Sequence, residues 1–150
     1  MSQVVEEKLG YYFFDKRLLS RALTRKAYAL EQPQSCEHQE AYVMLGNAIV
    51  TMVLTECLVR AGYQTEAELL VKKLELELER ETVLSQVGIA IGLGYLIKLS
   101  AVERQQRIEE QPQVLVDTLE AAIAAIYFDG GFMAARQAVQ RLFRTVLPEV

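Results

Sequence analysis

Apolar side chains recur along this chain at intervals of three and four over most of its length, a pattern that predicts helix after helix and no sheet. Val4, Val5 and Leu9 predict a short first helix ending at Gly10. Asp15 is placed to cap a second over KRLLSRAL, whose Leu18, Leu19, Ala22 and Leu23 share a face. Residues 30–35 are polar with one proline and predict a loop. From Glu37 to Ala61 a stretch containing Tyr42, Met44, Leu45, Ile49, Val50, Val53, Leu54 and Leu58 predicts the longest helix of the fold, stopped by Gly62. Its interior Gly46 lowers helix propensity by about 1 kcal/mol relative to Ala and marks close packing. Thr65 and Glu68 form a capping-box signature for the next helix.

That next helix contains LELELE, Leu74 to Glu79, which alternates with the period of a strand. Leu70, Leu74 and Leu78 are also four apart and no hairpin turn follows, so helix is the reading. Glu81 to Ile91 predicts a further helix, closed by Gly92 and Gly94. Ala101 to Glu110 is polar almost throughout and predicts an exposed, mobile helix or helical loop. Phe132 to Leu147 predicts a final amphipathic helix with Phe132, Ala135, Val139, Leu142 and Val146 inward.

The stretch Val114 to Gly131, VLVDTLEAAIAAIYFDGG, predicts a central helix touched on most sides. Its alanines take little room, and Leu115, Leu119, Ile123 and Ile126 supply bulk. Asp117 and Glu120 stand three apart in it and share a face. Two acids on a largely buried helix call for a cation or a salt bridge, because an unpartnered buried carboxylate is expensive.

Composition narrows the class. At 150 residues the chain suits one domain, 1–150, with a real core. No apolar run approaches the ~20 residues that span a bilayer, and the acidic start MSQVVEEKLG is unlike a signal peptide, so a soluble cytoplasmic protein with no membrane association is expected. Cys36 and Cys57 lie far apart and fit reduced, unreactive thiols. Sixteen Lys plus Arg against 20 Asp plus Glu leave a net charge of −4, which argues against a strongly basic nucleic-acid binder but says nothing of local patches. Arg17, Arg21, Arg25 and Lys26 are the densest basic cluster, with Lys72 and Lys73 a second. Either is a candidate RNA contact or a solvated helix face.

Several blocks in order then resemble the catalytic domain of the ribonuclease III family over nearly the whole chain. Leu9-Gly10-Tyr11 with Phe14, Asp15, Leu18 and Leu19 matches its opening, and ALTRKAY, residues 22–28, its ALTHRSY-like segment. HQEAYVMLGNA, residues 38–48, lies over the signature HNERLEFLGDA; EAEL, residues 66–69, over EGEL; and Asp117 to Gly131 over DALEALIGAIYLDGG. The resemblance implies an all-α bundle around a central helix, forming a homodimer that binds double-stranded RNA in a valley across both subunits and cuts it with Mg²⁺ or Mn²⁺. It implies four metal-binding acids per subunit. Asp117 and Glu120 match the central-helix pair, whereas Val43 and Asn47 stand where the signature helix should supply a Glu and an Asp.

A divalent ion and one carboxylate at ~4 Å attract by roughly 8 kcal/mol gross at an effective dielectric near 20, so losing two such partners greatly weakens the site. Asn47 keeps a neutral carbonyl as a weak ligand; Val43 keeps nothing. Restoring both, as Asn47→Asp with Val43→Glu, is the change expected to rebuild the missing half. Glu40, kept from the signature, faces the valley or is a surface acid at a helix start. His38, the one histidine, reads as a helix-start hydrogen-bonding residue. Tyr42, Met44, Leu45 and Ile49 form the expected dimer face, with Met44 where the family plugs a Phe into its partner. The expected activity is therefore RNA binding in processing or ribonucleoprotein assembly with cleavage lost or much reduced. The alternatives are an active endoribonuclease, alone or paired with an intact subunit, and a helical dimer scaffold that does not bind RNA. A chain ending at LPEV has no room for the family's usual double-stranded-RNA-binding domain, which makes a heterodimer or ribonucleoprotein partner the expected source of affinity.

Overall fold

The computed structural model of the chain describes residues 3–148. Eight α-helices follow one another: α1 Gln3–Leu9, α2 Lys16–Ala22, α3 Lys26–Glu31, α4 Glu40–Arg60, α5 Glu66–Ala90, α6 Ala101–Gln105, α7 Pro112–Gly130 and α8 Phe132–Leu142. Short 3₁₀ turns at Leu93–Tyr95 and Ile108–Glu110 join the later ones. No strand occurs among the described residues; one parallel bridge, Thr24 to Lys98, ties the end of α2 to the segment before α6.

α7 is the hub. From Val114 to Ile126 every residue except Asp117 is buried, which is why its small alanines alternate with bulky aliphatics. Its broadest neighbour is α4, with α5, α2 and α8 closing the other sides. α4 and α7 meet backbone to backbone: a Cβ at Gly46 would lie 1.7 Å from the carbonyl oxygen of Glu120, so no other residue fits without moving a helix. Gly88 packs more loosely, its Cβ position 3.0 Å from that of Leu115. Among the described residues α4 alone is long and apolar enough to cross a membrane by length and composition, so the apolar-run expectation was too strict; its inner face is instead core against α7.

Several boundaries differ from the sequence pattern. α4 starts at Glu40, because the buried Gln39 donates its side-chain amide to the Ala22 carbonyl at 2.7 Å and the Thr118 hydroxyl at 3.2 Å, holding that segment out of the helix. α5 runs unbroken for 25 residues, so it, not α4, is the longest helix. The capping box at Thr65 and Glu68 opens it as expected, and nothing at Glu81 stops it. Its buried row is Leu76, Arg80 and Leu84, while Leu74 and Leu78 are 68% and 80% exposed. Two rows of four-residue spacing run along α5, and the one holding a cation faces inward.

The polar 101–110 segment divides into α6, capped by Ser100 with Glu103, and a 3₁₀ turn whose Ile108 is buried. α8 ends at Leu142; Ala135, Val139 and Leu142 point inward as expected, while Phe132 and Val146 are half-buried. At the C-terminal end of α7, Asp129 accepts from the Tyr11 hydroxyl at 2.6 Å and from the backbone N–H groups of Phe14 and Asp15 at 2.8 and 3.0 Å. Tyr11 lies so close to Gly130 that a Cβ there would meet its hydroxyl at 2.5 Å.

Candidate functional site

Glu120 is 2% exposed, and its partner is Arg80, delivered by the inner row of α5. The Arg80 guanidinium donates to the Glu120 carboxylate, to the backbone carbonyl of Asn47 at 3.0 Å, to the Thr51 hydroxyl at 2.9 Å and to Glu77 at 3.1 Å. Three helices thus converge on one buried cation. Burial pushes the Glu120 carboxyl above its ordinary value and the charge of Asp117 adds to this, while Arg80 and the Asn47 side chain pull the other way. Arg80 stands four residues from both Leu76 and Leu84 and is buried with them, but Leu70, Leu74 and Leu78 share that spacing, so the spacing alone does not mark Arg80 as inward-facing.

Asp117, half-buried, accepts from the Gln113 side chain one turn earlier at 2.7 Å. It lines a hollow of about 390 Å³ together with Arg25, Lys26, Gln39, Glu40 and Val43. The two central-helix acids therefore have separate surroundings: Asp117 opens into the hollow, and Glu120 is buried under Arg80. Val43 is half-buried on the hollow wall and offers no ligand, as expected. The Asn47 backbone carbonyl is spent on Arg80. Glu40 does reach the hollow, though it is exposed and paired with Lys26 at 3.2 Å. Among the described residues no three His, Cys, Asp or Glu side chains converge on a point where a metal ion could sit. The donor set present does not fit the four-acid Mg²⁺ site that the resemblance implies.

His38 accepts from the backbone N–H of Glu40 at 3.3 Å, the helix-start role expected of it. Cys36 is exposed and Cys57 buried, both as free thiols. The candidate RNA contacts are mostly occupied. Arg17 grips Asp15 with two 3.0 Å bonds, Arg21 pairs with Glu37 at 3.5 Å and covers the Tyr42 ring, and Arg25 pairs with Glu103 at 3.1 Å. Lys26 pairs with Glu40 and Lys72 with Glu75, and Lys73 is exposed on a helix rich in glutamates.

The expected dimer face splits in two. Ile49 lies on the core side of α4 at 6% exposure, a correction to its assignment as a partner contact, and Tyr42, at 7%, is mostly core although it also lines the open hollow beside Leu45. Tyr42 packs on Phe128, ring centres 5.3 Å apart. Met44 is 80% exposed, and Leu45 lines an open hollow with Leu18, Tyr42 and Phe128. Phe14 and Phe128, which the periodicity did not single out, add exposed aromatic surface.

A family model described as Ribonuclease-III-like matches residues 15–146. Similar proteins include Ribonuclease 3 of Bdellovibrio bacteriovorus, 33% identical over 93% of this chain and 59% of that protein, and Ribonuclease 3 of Campylobacter jejuni, 32% identical over 97% of this chain and 62% of that protein. The chain thus spans less than two thirds of the length of these relatives. Two solved structures of the nuclease domain of ribonuclease III from Campylobacter jejuni are similar throughout. One has a TM-score of 0.82 at 31% identity, covering 97% of both chains, and is described by the flexibility of a region involved in dimer formation. The other has a TM-score of 0.80 at 30% identity, covering 99% of this chain and 97% of that one.

Proposed function

Since this chain belongs to the ribonuclease III family, we propose that it is a nuclease-fold domain that binds structured or double-stranded RNA as a dimer and has lost cleavage. The observation that carries the loss is the donor set. Asp117 and Glu120 remain, the facing helix offers Val43 and Asn47, and no third acid converges with them among the described residues. Metal-assisted hydrolysis needs a cation held firmly enough to orient nucleophile and leaving group, and two carboxylates, one of them already paired with Arg80, are a poor hold for it. What the chain's own residues do instead is structural: Glu120 neutralises Arg80, and Asp117 keeps a polar wall on the hollow.

RNA engagement in this reading is weak and salt-sensitive, because phosphate binding by Lys and Arg releases counterions. It draws on Arg17, Arg21, Arg25 and Lys26, each of which must exchange a carboxylate for a phosphate. Those same pairings favour a second reading, a helical scaffold that does not touch RNA. Mixing the chain with a duplex RNA at about 50 mM salt, with Mg²⁺ or Mn²⁺, separates the readings. Retarded but uncut duplex supports the proposal, and no binding supports the scaffold. Cleavage abolished by Glu120→Ala overturns the loss of catalysis.

A further inference from the structure

We infer that Arg80 is a built-in replacement for the divalent cation: its guanidinium occupies the charge role that a metal ion fills beside the central-helix carboxylates, and so bars a metal from the Glu120 side. The inference rests on the reading of this domain as one whose acids no longer assemble a metal site. It adds the reason why the remaining acid half stays folded and why restoring the missing half is insufficient.

A carboxylate as buried as Glu120 requires an opposite charge, and Arg80, itself with a side chain 5% exposed, is the one that meets it. Its ligand shell consists of oxygens from three chemical sources: the carboxylates of Glu120 and Glu77, the Asn47 carbonyl and the Thr51 hydroxyl. A hard divalent cation takes the same kinds of donor. Arg80 also bridges α4, α5 and α7, so the one guanidinium both neutralises the acid and joins the helices around it. With five N–H donors in a planar fork and four acceptors in place, little freedom is left to it.

Two consequences follow from charge. A divalent ion brought to Glu120 meets a fixed positive charge on the same carboxylate, in surroundings that screen poorly. An aspartate introduced at position 47 lies beside Arg80 as well as Glu120, so it becomes a third carboxylate partner for the guanidinium, after Glu120 and Glu77, before it can become a metal ligand. The pair Val43→Glu and Asn47→Asp, which the sequence pattern makes necessary, leaves Arg80 in place.

The test is Mn²⁺ binding, read by calorimetry and by loss of the free-ion paramagnetic signal, on the full chain and its variants without RNA. Compared are the native chain, the double variant Val43→Glu/Asn47→Asp, the triple variant that adds Arg80→Met, and the triple variant carrying Asp117→Ala. The expected result is negligible binding to the first two, binding by the triple variant at least roughly tenfold tighter than by the double, and its loss with Asp117→Ala. A double variant that binds Mn²⁺ as tightly as the triple overturns the inference. If the triple variant does not fold, a urea cycle on Arg80→Met, Glu120→Gln and their combination decides the matter. The combined variant is expected to be much less destabilised than the sum of the singles, and simple additivity overturns the inference. Cleavage of RNA by the native chain is a separate outcome, and it bears on the proposed function whatever the Mn²⁺ titrations give.

Discussion

Tyr11 donates its hydroxyl to Asp129 at 2.6 Å across 118 residues of sequence, fastening the loop before α2 to the end of α7. Burial, then the hydrogen bond to Asp129 and its charge, push the Tyr11 phenol up to about 12. Burial pushes Asp129 up, but the Tyr11 hydroxyl and the Phe14 and Asp15 amides outweigh it and leave that carboxyl below its ordinary value. A phenol raised in the folded state contributes stability that is complete below its unfolded value near 10 and is lost as pH rises through about 12. The lowered Asp129 contributes stability above the ordinary carboxylate range and loses it in acid. Alkaline absorbance titration is expected to show a phenol, that of Tyr11, ionising at about 12. Tyr11→Phe should remove that step and lower stability by about 1–2 kcal/mol.

Gly46→Ala is expected to be severely destabilising although Ala is the better helix former by about 1 kcal/mol. The added carbon would sit 1.7 Å from the Glu120 carbonyl oxygen and 2.4 Å from its carbon, both backbone atoms that no rotamer change can move. Overpacking ordinarily costs about 1–3 kcal/mol, and here about 3 or more is expected, measured by urea unfolding. Gly88→Ala, facing the Leu115 side chain, is the milder comparison.

For the proposed dimer, Met44→Asp should convert a sedimenting dimer to monomer and leave the monomer's unfolding midpoint nearly unchanged, since Met44 is 80% exposed. Ile49→Asp is expected to fail differently, by unfolding the chain, because Ile49 belongs to the core. A Met44→Asp variant that stays dimeric would remove α4 from the interface.

Freeing cations should strengthen duplex binding. Glu37→Gln releases Arg21 and Glu40→Gln releases Lys26, so the double variant is expected to bind duplex RNA more tightly and to steepen the dependence of log K on log salt by about 1–2. Fluorescence anisotropy across a salt series checks it. Unchanged affinity and slope would place the RNA contact elsewhere.

The all-helical character, the caps at Asp15 and Thr65 and the hub character of the Val114–Gly131 stretch were legible because each rests on local spacing; α3, which takes in residues 30 and 31 of the expected loop, and the unbroken run of α5 were not. That Asp117 and Glu120 sit on the central helix, with 43 and 47 on the helix facing it, followed from motif position. What periodicity could not reveal was which of two four-residue rows on α5 turns inward. That choice is made by tertiary packing, and it decides that Arg80 rather than Leu74 or Leu78 enters the core. The split of Tyr42 and Ile49 from Met44 has the same origin: all are apolar, and only the direction of α4 relative to α7 separates them.

The closeness of α4 and α7 at Gly46 also bears on how such a domain changes over generations. The two helices are held at contact by main-chain atoms, of Gly46 on one side and Glu120 on the other, so their spacing does not depend on which side chains project beside the crossing. Side chains at 43 and 47 can be exchanged while the crossing keeps its dimensions, whereas Glu120 is tied to Arg80 and cannot be changed alone without cost. The shape of the crossing thus rests on Gly46, whatever chemistry the neighbouring side chains carry.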